Sequence, residues 1–403
     1  MAIIRRVFDN DKKLPRLPLP PVRQTMERYY ESLQPLFTES ELLEIKKKID
    51  EFLAPKHQVI GENGEKQMVS TADVLQKRLV EYEKTQQYSW LELWWEEMAY
   101  LGWREPLFIN SNYWVSIFPH PKPYGQIGYK ELGIKTRMEP GRAVFKNVGY
   151  SEFQIRVAAS MINKAVEFKD MLDNEQLPSH LVGSKPMCMN QFKNLFGVTR
   201  LPRPERDEIY KYTGYIKYII VMVRNQIYRV PIYTEKGKRL LDGDMEDLLN
   251  RVVEDAQSLK DSELEPPIGI ISAGHRDRWA AAYAELAQHN NPTAQATLQE
   301  IQHSAFAVSL EDFCVPKERD EASFQRLLKS GANSGHNRWY DKHISMIFDR
   351  NGNYGAMGEH SPADAVVPAY LHEYVATQTY NSKVKLEKDR GSPSVFRSVG
   401  SDD

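Results

Sequence analysis

Tyr215–Val223 and Gln226–Tyr233 are two runs of β-branched and aromatic residues with only Arg224-Asn225 between them. A chain written this way folds back on itself as an antiparallel hairpin. A second pair, His343–Asp349 and Tyr354–Met357, is joined by Arg350-Asn351-Gly352-Asn353, whose Asn-Gly suits a turn with φ > 0. Helix-patterned chain lies around and between these pairs. Glu152–Leu172 places Ile155, Ala158, Ala159, Ile162, Ala165 and Val166 on one face, and Arg278–Gln288 and Asp320–Leu328 also read as helices. The fold class that follows is α/β: a mixed β-sheet flanked by many helices, with no 20–50-residue repeat.

The first ~85 residues have a different texture and read as an all-helical segment. Residues 13–21 form an extended strap punctuated by prolines. A helix starting at Pro21 carries Val22, Met26, Tyr29, Tyr30 and Leu33. Thr38 and Glu41 have capping-box spacing, Phe37 can staple onto Leu42, and Leu42, Ile45, Ile49, Phe52 and Leu53 make an apolar stripe. After a polar loop around Gly61–Gly64, Thr71 opens a third helix toward Thr85. The domain division read from the sequence is therefore 1–85 helical, 86–377 α/β, and 378–403 disordered, the last because Ser382–Asp403 has no periodic apolar pattern.

Composition removes several functions. Lys plus Arg number 53 against 55 Asp plus Glu, a formal charge of −2, so no global field draws in nucleic acid. Only Cys188 and Cys314 occur, which excludes a disulfide framework and a cysteine zinc site. No metal site is expected: ten histidines show no metalloprotease spacing, and His336 with His343 is a weak pair. The longest apolar stretches, such as Tyr218–Val223, fall far short of the ~20 residues of a membrane-spanning helix. Met1–Phe8 is too short for a signal peptide and reads as a frayed tail. Cysteine usage points to a reducing compartment, with the cytoplasm expected and a mitochondrial or peroxisomal address left open. Dinucleotide, P-loop and α/β-hydrolase motifs are missing. Met187-Cys188-Met189 reads as core packing rather than a reactive thiol.

One constellation can carry chemistry. Gly358-Glu359-His360-Ser361-Pro362-Ala363-Asp364 follows a short strand, and Pro368 suits the first turn of a helix. A histidine leaving a sheet, with a carboxylate four residues on, can be held in one tautomer and stabilised as the imidazolium. That is how a general base for a hydroxyl or thiol is built. On spacing alone, a surface histidine beside a capping aspartate fits equally well.

Six ordered motifs supply the context. They are Leu14–Pro21, Trp94-Trp95 with Ala99-Tyr100-Leu101, Asp170–Pro178, Pro186–Gln191, Asn333–Lys342 and Glu359-His360-Ser361. Over residues 13–375 the chain thereby resembles the carnitine/choline O-acyltransferase family, nearest its acetyltransferase branch. The resemblance implies a chloramphenicol acetyltransferase-like fold and reversible, short-chain acyl transfer between coenzyme A and the carnitine hydroxyl. Acyl-CoA and carnitine would be substrates, with no tightly bound cofactor. It implies His360 as general base, Asp364 as its orienting partner, and Trp95 and Tyr100 as lining for the carnitine pocket, aromatic groups that suit a quaternary ammonium. On a straight helix those two point about 140° apart, so they converge only where the helix ends or bends. Arg338 and Asp341 read as an ion pair or network beneath the site, and His275–Trp279 as scaffolding at a helix start.

The chain also departs from the family pattern. Ser361-Pro362 restricts the backbone beside the histidine, and residues 118–145 look inserted. The family's second domain, which brings the CoA-binding strip and an oxyanion donor, has no counterpart after Val375. The helices of residues 21–85 would pack on that domain. The sequence therefore reads as a truncated form. Its alternative function is an impaired half-protein that binds carnitine weakly or pairs with an intact paralogue.

Overall fold

The computed structural model describes residues 7–60, 64–116, 149–288, 291–313, 335–381 and 396–397. The chain divides into two compact units. One is Pro15–Trp95; the other joins Met1–Leu14 to Glu96–Asp403.

The smaller unit contains α1 (Val22–Leu33), α2 (Glu39–Leu53), α3 (Thr71–Thr85) and α4 (Glu92–Trp95). Their boundaries follow the cap chemistry. The Glu41 carboxylate accepts from both the N–H (2.8 Å) and the hydroxyl (2.7 Å) of Thr38. Ser70 and Asp73 cap α3 reciprocally, with N–H to side-chain oxygen distances of 3.0 Å in both directions. The all-helical expectation is corrected here: β1 (Pro55–Ile60) and β2 (Lys66–Ser70) form an antiparallel hairpin between α2 and α3. Pairing satisfies the backbone groups of two short, largely exposed runs whose side chains do not alternate cleanly between apolar and polar. That is why the periodicity gave no sign of them. This unit extends to Trp95 rather than stopping at residue 85.

The larger unit is built on a seven-stranded sheet. Its elements in chain order are a π-helix (Glu96–Leu101), α5 (Leu107–Asn110), β3 (Tyr113–Ser116), α6 (Glu152–Asp173), the two-residue pair β4 (Leu181–Val182) and β5 (Lys185–Pro186), a 3₁₀ turn (Asn190–Asn194), β6 (Val198–Leu201), β7 (Glu208–Lys211), β8 (Tyr218–Val223) and β9 (Gln226–Pro231). There follow α7 (Asp242–Ser258), α8 (Arg276–Leu286), α9 (Pro292–His303), β10 (Ala307–Leu310), β11 (Ile344–Phe348), β12 (Tyr354–Gly358), α10 (Val366–Asn381) and β13 (Phe396–Arg397). The strand order is β13-β9-β8-β10-β11-β12-β3. β10 runs parallel to both β8 and β11, and the remaining pairs are antiparallel, so the sheet is mixed as expected.

Both hairpins form. Arg224 and Asn225 take positive φ (49° and 68°), the conformation a two-residue turn requires, and Gly352 supplies φ +74° in the second. Strand residues alternate between the two faces. Ile219, Val221 and Val223 join the core with α6, α7 and α10, while Ile220 and Met222 meet Trp279, Tyr283, Leu298 and Trp339 on the other side.

Two expectations about the termini change. Val7 is fully buried, and the Met189 N–H donates to Asp11 Oδ1 at 2.9 Å, so the chain is anchored from residue 7 rather than frayed. The stretch 378–403 is not wholly without order: α10 runs to Asn381, and Phe396–Arg397 pairs with β9. The expected helix Asp320–Leu328, the inserted stretch 118–145, and Cys314 lie outside the described residues. Among the described residues no helix is long and apolar enough to cross a membrane.

Candidate active site

β12 delivers His360. Gly358 ends the strand opposite Tyr113 of β3, and a Cβ at 358 would lie 2.0 Å from the Tyr113 ring. Only glycine lets that ring cross the strand, and the ring then meets His360 edge to face, with centroids 5.3 Å apart at 78°. Tyr113 is fully buried, and burial together with the neighbouring Glu359 raises its phenol well above the usual tyrosine range. Tyr100 approaches from the other side, its ring centroid 4.9 Å from the imidazole and its Oη 3.4 Å from Nε2. The His360 side chain remains 27 % exposed. It is therefore an accessible imidazole between two tyrosines.

The backbone around it is fixed by the two flanking residues. Glu359 is completely buried. Its carboxylate accepts from the Ser361 N–H (3.2 Å), the Ser361 hydroxyl (2.5 Å) and Arg200 Nη1 (3.2 Å). Its carbonyl accepts from His343 Nδ1 at 2.7 Å, which requires the hydrogen on Nδ1 because a carbonyl only accepts. Burial pulls the His343 imidazole down to about 4, so it stays neutral at ordinary pH. Beyond the turn, Asn194 Nδ2 donates to the Pro362 carbonyl (3.0 Å), and the Asp364 N–H donates to Gln191 Oε1 (3.1 Å). The Pro186–Gln191 motif therefore anchors the strap after the histidine, and Pro362 leaves the imidazole turned toward Tyr100.

Asp364, expected as the orienting partner, faces the ring without a hydrogen bond. Its carboxylate is 65 % exposed and lies 4.0 Å from Nε2, the nitrogen Tyr100 also addresses. That is beyond hydrogen-bond reach. Tyr100, Tyr113 and the Glu359 turn surround the ring. Trp95 is the last residue of the smaller unit and is 55 % exposed. Tyr100 lies in the larger unit, where Glu96–Leu101 is wound as a π-helix, closed by Gly102 N–H to Glu97 O at 2.8 Å.

Beneath the site runs a buried chain of charges. Asp207 accepts from Arg200 (2.7 Å), Arg276 (2.6 Å) and Arg104 (3.0 Å). Burial opposes its ionisation, but the Arg276 and Arg200 guanidiniums outweigh burial and hold the carboxyl below its usual range. Arg276 continues to Asp341 (2.7 Å), which also accepts from Trp279 Nε1 (2.6 Å). Arg338 pairs with Glu311 rather than with Asp341. A network is thus present beneath the site, with partners other than each other for Arg338 and Asp341. The sequence pattern did not single out Arg200, Asp207, Tyr113 or the role of Glu359. The only trace was Glu359 adjoining His360. Among the described residues no group of three or more His, Cys, Asp or Glu side chains could hold a metal ion.

The family pattern for choline/carnitine O-acyltransferases matches residues 17–398. Human carnitine O-acetyltransferase is 31 % identical over 379 residues, covering 91 % of this chain and 52 % of that protein. Human choline O-acetyltransferase is 28 % identical over 385 residues (93 % and 45 %), and the mitochondrial carnitine O-acetyltransferase of Saccharomyces cerevisiae is 26 % identical over 378 residues (92 % and 49 %). The chain spans about half the length of these curated relatives. With His360 presented on a sheet between two tyrosines and a match running over nearly its whole length, the chain belongs to the choline/carnitine O-acyltransferase family.

Proposed function

We propose that the chain carries the base-bearing part of an acyl-CoA:carnitine O-acyltransferase acting on short acyl groups. The observation that carries this reading is the accessible His360 Nε2 facing Tyr100 Oη at 3.4 Å on an otherwise rigid strand end. Carnitine O-acetyltransferases are among the most similar relatives at 30–31 % identity, which supports carnitine and acetyl ahead of other acceptors and acyl groups.

In this proposal His360 Nε2 takes the proton from the carnitine hydroxyl as the oxygen attacks the thioester carbonyl. The C–S bond then breaks, and the departing thiolate takes that proton from the imidazolium. The reverse reaction starts from the CoA thiol. A neutral alcohol is a poor nucleophile, so a positioned base contributes about 10²–10⁴-fold. Asp364, 4.0 Å away, favours the charged ring between the two transfers. Tyr100 offers an aromatic face beside His360 that suits the trimethylammonium group. CoA and carnitine are substrates, not resident groups.

The test is thiol release from acetyl-CoA by the purified chain, with carnitine or choline as acceptor. Release with carnitine that falls at least 100-fold in His360→Ala, at unchanged melting temperature, supports the proposal. Release with choline alone moves the acceptor. No release from a folded chain that still binds carnitine favours the second reading, a half-protein that binds or docks without turnover.

A further inference from the structure

One guanidinium touches both residues that meet at the candidate base. Arg200 on β6 is fully buried and donates through Nε to Asp207 (2.7 Å), through Nη1 to Glu359 (3.2 Å), and through Nη2 to the Tyr100 carbonyl (2.7 Å) and, at longer range, the Trp103 carbonyl (3.4 Å). Glu359 in turn holds Ser361, so the turn carrying His360 is tied at both sides. The Tyr100 carbonyl belongs to the π-helix, a rare winding found mostly as short turns at functional sites. The planar fork of arginine fixes the distance between such contacts, and a lysine ammonium cannot.

We propose that Arg200 is a positioning residue that sets the gap between the Tyr100 hydroxyl and His360 Nε2. It does so by clamping the Tyr100 backbone and the Glu359–Ser361 turn to one rigid plane. The inference rests on His360 being the working base, but its effect is readable without turnover. The Tyr100 Oη–Nε2 separation of 3.4 Å lies at the long edge of a hydrogen bond, so a small drift of either segment breaks it.

The experiment is a double-mutant cycle on the protonation of the His360 ring, followed by nitrogen-15 NMR of histidine-labelled protein. The variants are Arg200→Lys, Tyr100→Phe and the pair together. Arg200→Lys preserves the charge facing Asp207 and Glu359, so the Coulomb field at the ring from those groups, from Asp364 and from neutral His343 and Tyr113 is retained. Tyr100→Phe removes the hydroxyl alone. The expected result is a midpoint shift of roughly half a pH unit or more in each single variant, in the same direction, with the double no further displaced than either single. Independent, additive shifts overturn the proposal, as does an unshifted His360 in folded Arg200→Lys. If Arg200→Lys does not fold, Glu359→Gln, which keeps the side-chain shape and one acceptor oxygen while loosening the Arg200 contact, replaces it; because it also removes a charge beside the ring, only its coupling to Tyr100→Phe is read, non-additive shifts supporting the clamp and additive shifts overturning it. Thiol release by the unaltered chain reports separately on whether His360 catalyses, so failure of that reading and failure of the Arg200 clamp are told apart.

Discussion

The two units of this chain bury different things. In the larger, whole strands disappear from solvent and take charged groups with them: Arg200, Asp207, Arg276, Lys342 and Glu359 are all completely enclosed. Lys342 Nζ alone donates to Thr199 Oγ1 and to the carbonyls of Ile301, Gln302 and Ser304. In the smaller unit, α1 contains no buried residue, and Leu43 and Ile60 are 71 % and 77 % exposed. Its ion pairs include Lys46–Asp50, an exposed i,i+4 contact of the kind that contributes a few tenths of a kcal/mol. Helical amphipathicity is present in both regions. Enclosure, which turns a charge from a solvated decoration into a fixed strut, belongs to one.

The sharpest way to break that contrast is Asp207→Asn. Three guanidiniums converge on this carboxylate, two of them fully buried, and neutralising it leaves each with one carboxylate partner in place of two. Removing one partner of a buried ion pair costs about 3–5 kcal/mol, so the unfolding free energy of the sheet-bearing unit from denaturant titration should fall by about that amount. A loss below about 1 kcal/mol would mean the network is solvated and the contrast unfounded. Acid gives the next largest effect. Burial depresses His343 to about 4 and His372 to about 3, against ~6.5 for a free imidazole. Between those limits the unfolded chain binds more protons than the folded one, so each histidine's contribution is complete above pH ~6.5 and is lost as pH falls toward its folded value. The slope is about 1.4 kcal/mol per pH unit for each group. Urea unfolding at pH 7 and pH 5.5 should show the sheet-bearing unit weakening. Neither of these two histidines lies in the smaller unit, which should not follow.

The same contrast explains what could be read in advance. Arg224-Asn225 and Asn351-Gly352 are local instructions, since a positive φ is dictated by the residues at the turn, and both hairpins formed where they stand. The capping pairs Thr38/Glu41 and Ser70/Asp73 are local too. His360 was legible because a strand, a histidine and a set of ordered motifs surround it. Its supports were not. Arg200 and Asp207 sit in the stretch Thr199–Asp207, where three arginines and two acids look like an ordinary charged loop. Nothing in that spacing says which charges will be enclosed. The four-residue spacing of Asp364 brings its carboxylate to 4.0 Å from the ring, but the spacing gave no sign that it would stay 65 % exposed. β1 and β2 escaped notice because neither buries an alternating face.

The smallest effect sharpens the comparison from the other side. Ser70 is a buried N-cap whose hydroxyl accepts from the Asp73 N–H (3.0 Å) and donates to Asp73 Oδ2 (2.6 Å). Those bonds hold the Asp73 carboxyl below its usual range, so the cap is charged and at full strength at neutral pH. Ser70→Ala removes both and leaves an orphaned N–H in the first turn of α3, a loss of about 1 kcal/mol. Hydrogen exchange should register this as faster exchange across α3 and the adjoining β2, with β8, β10 and β11 unchanged. If protection fell equally in those central strands, the two units would share one cooperative transition. The difference in burial between them would then have no counterpart in local stability.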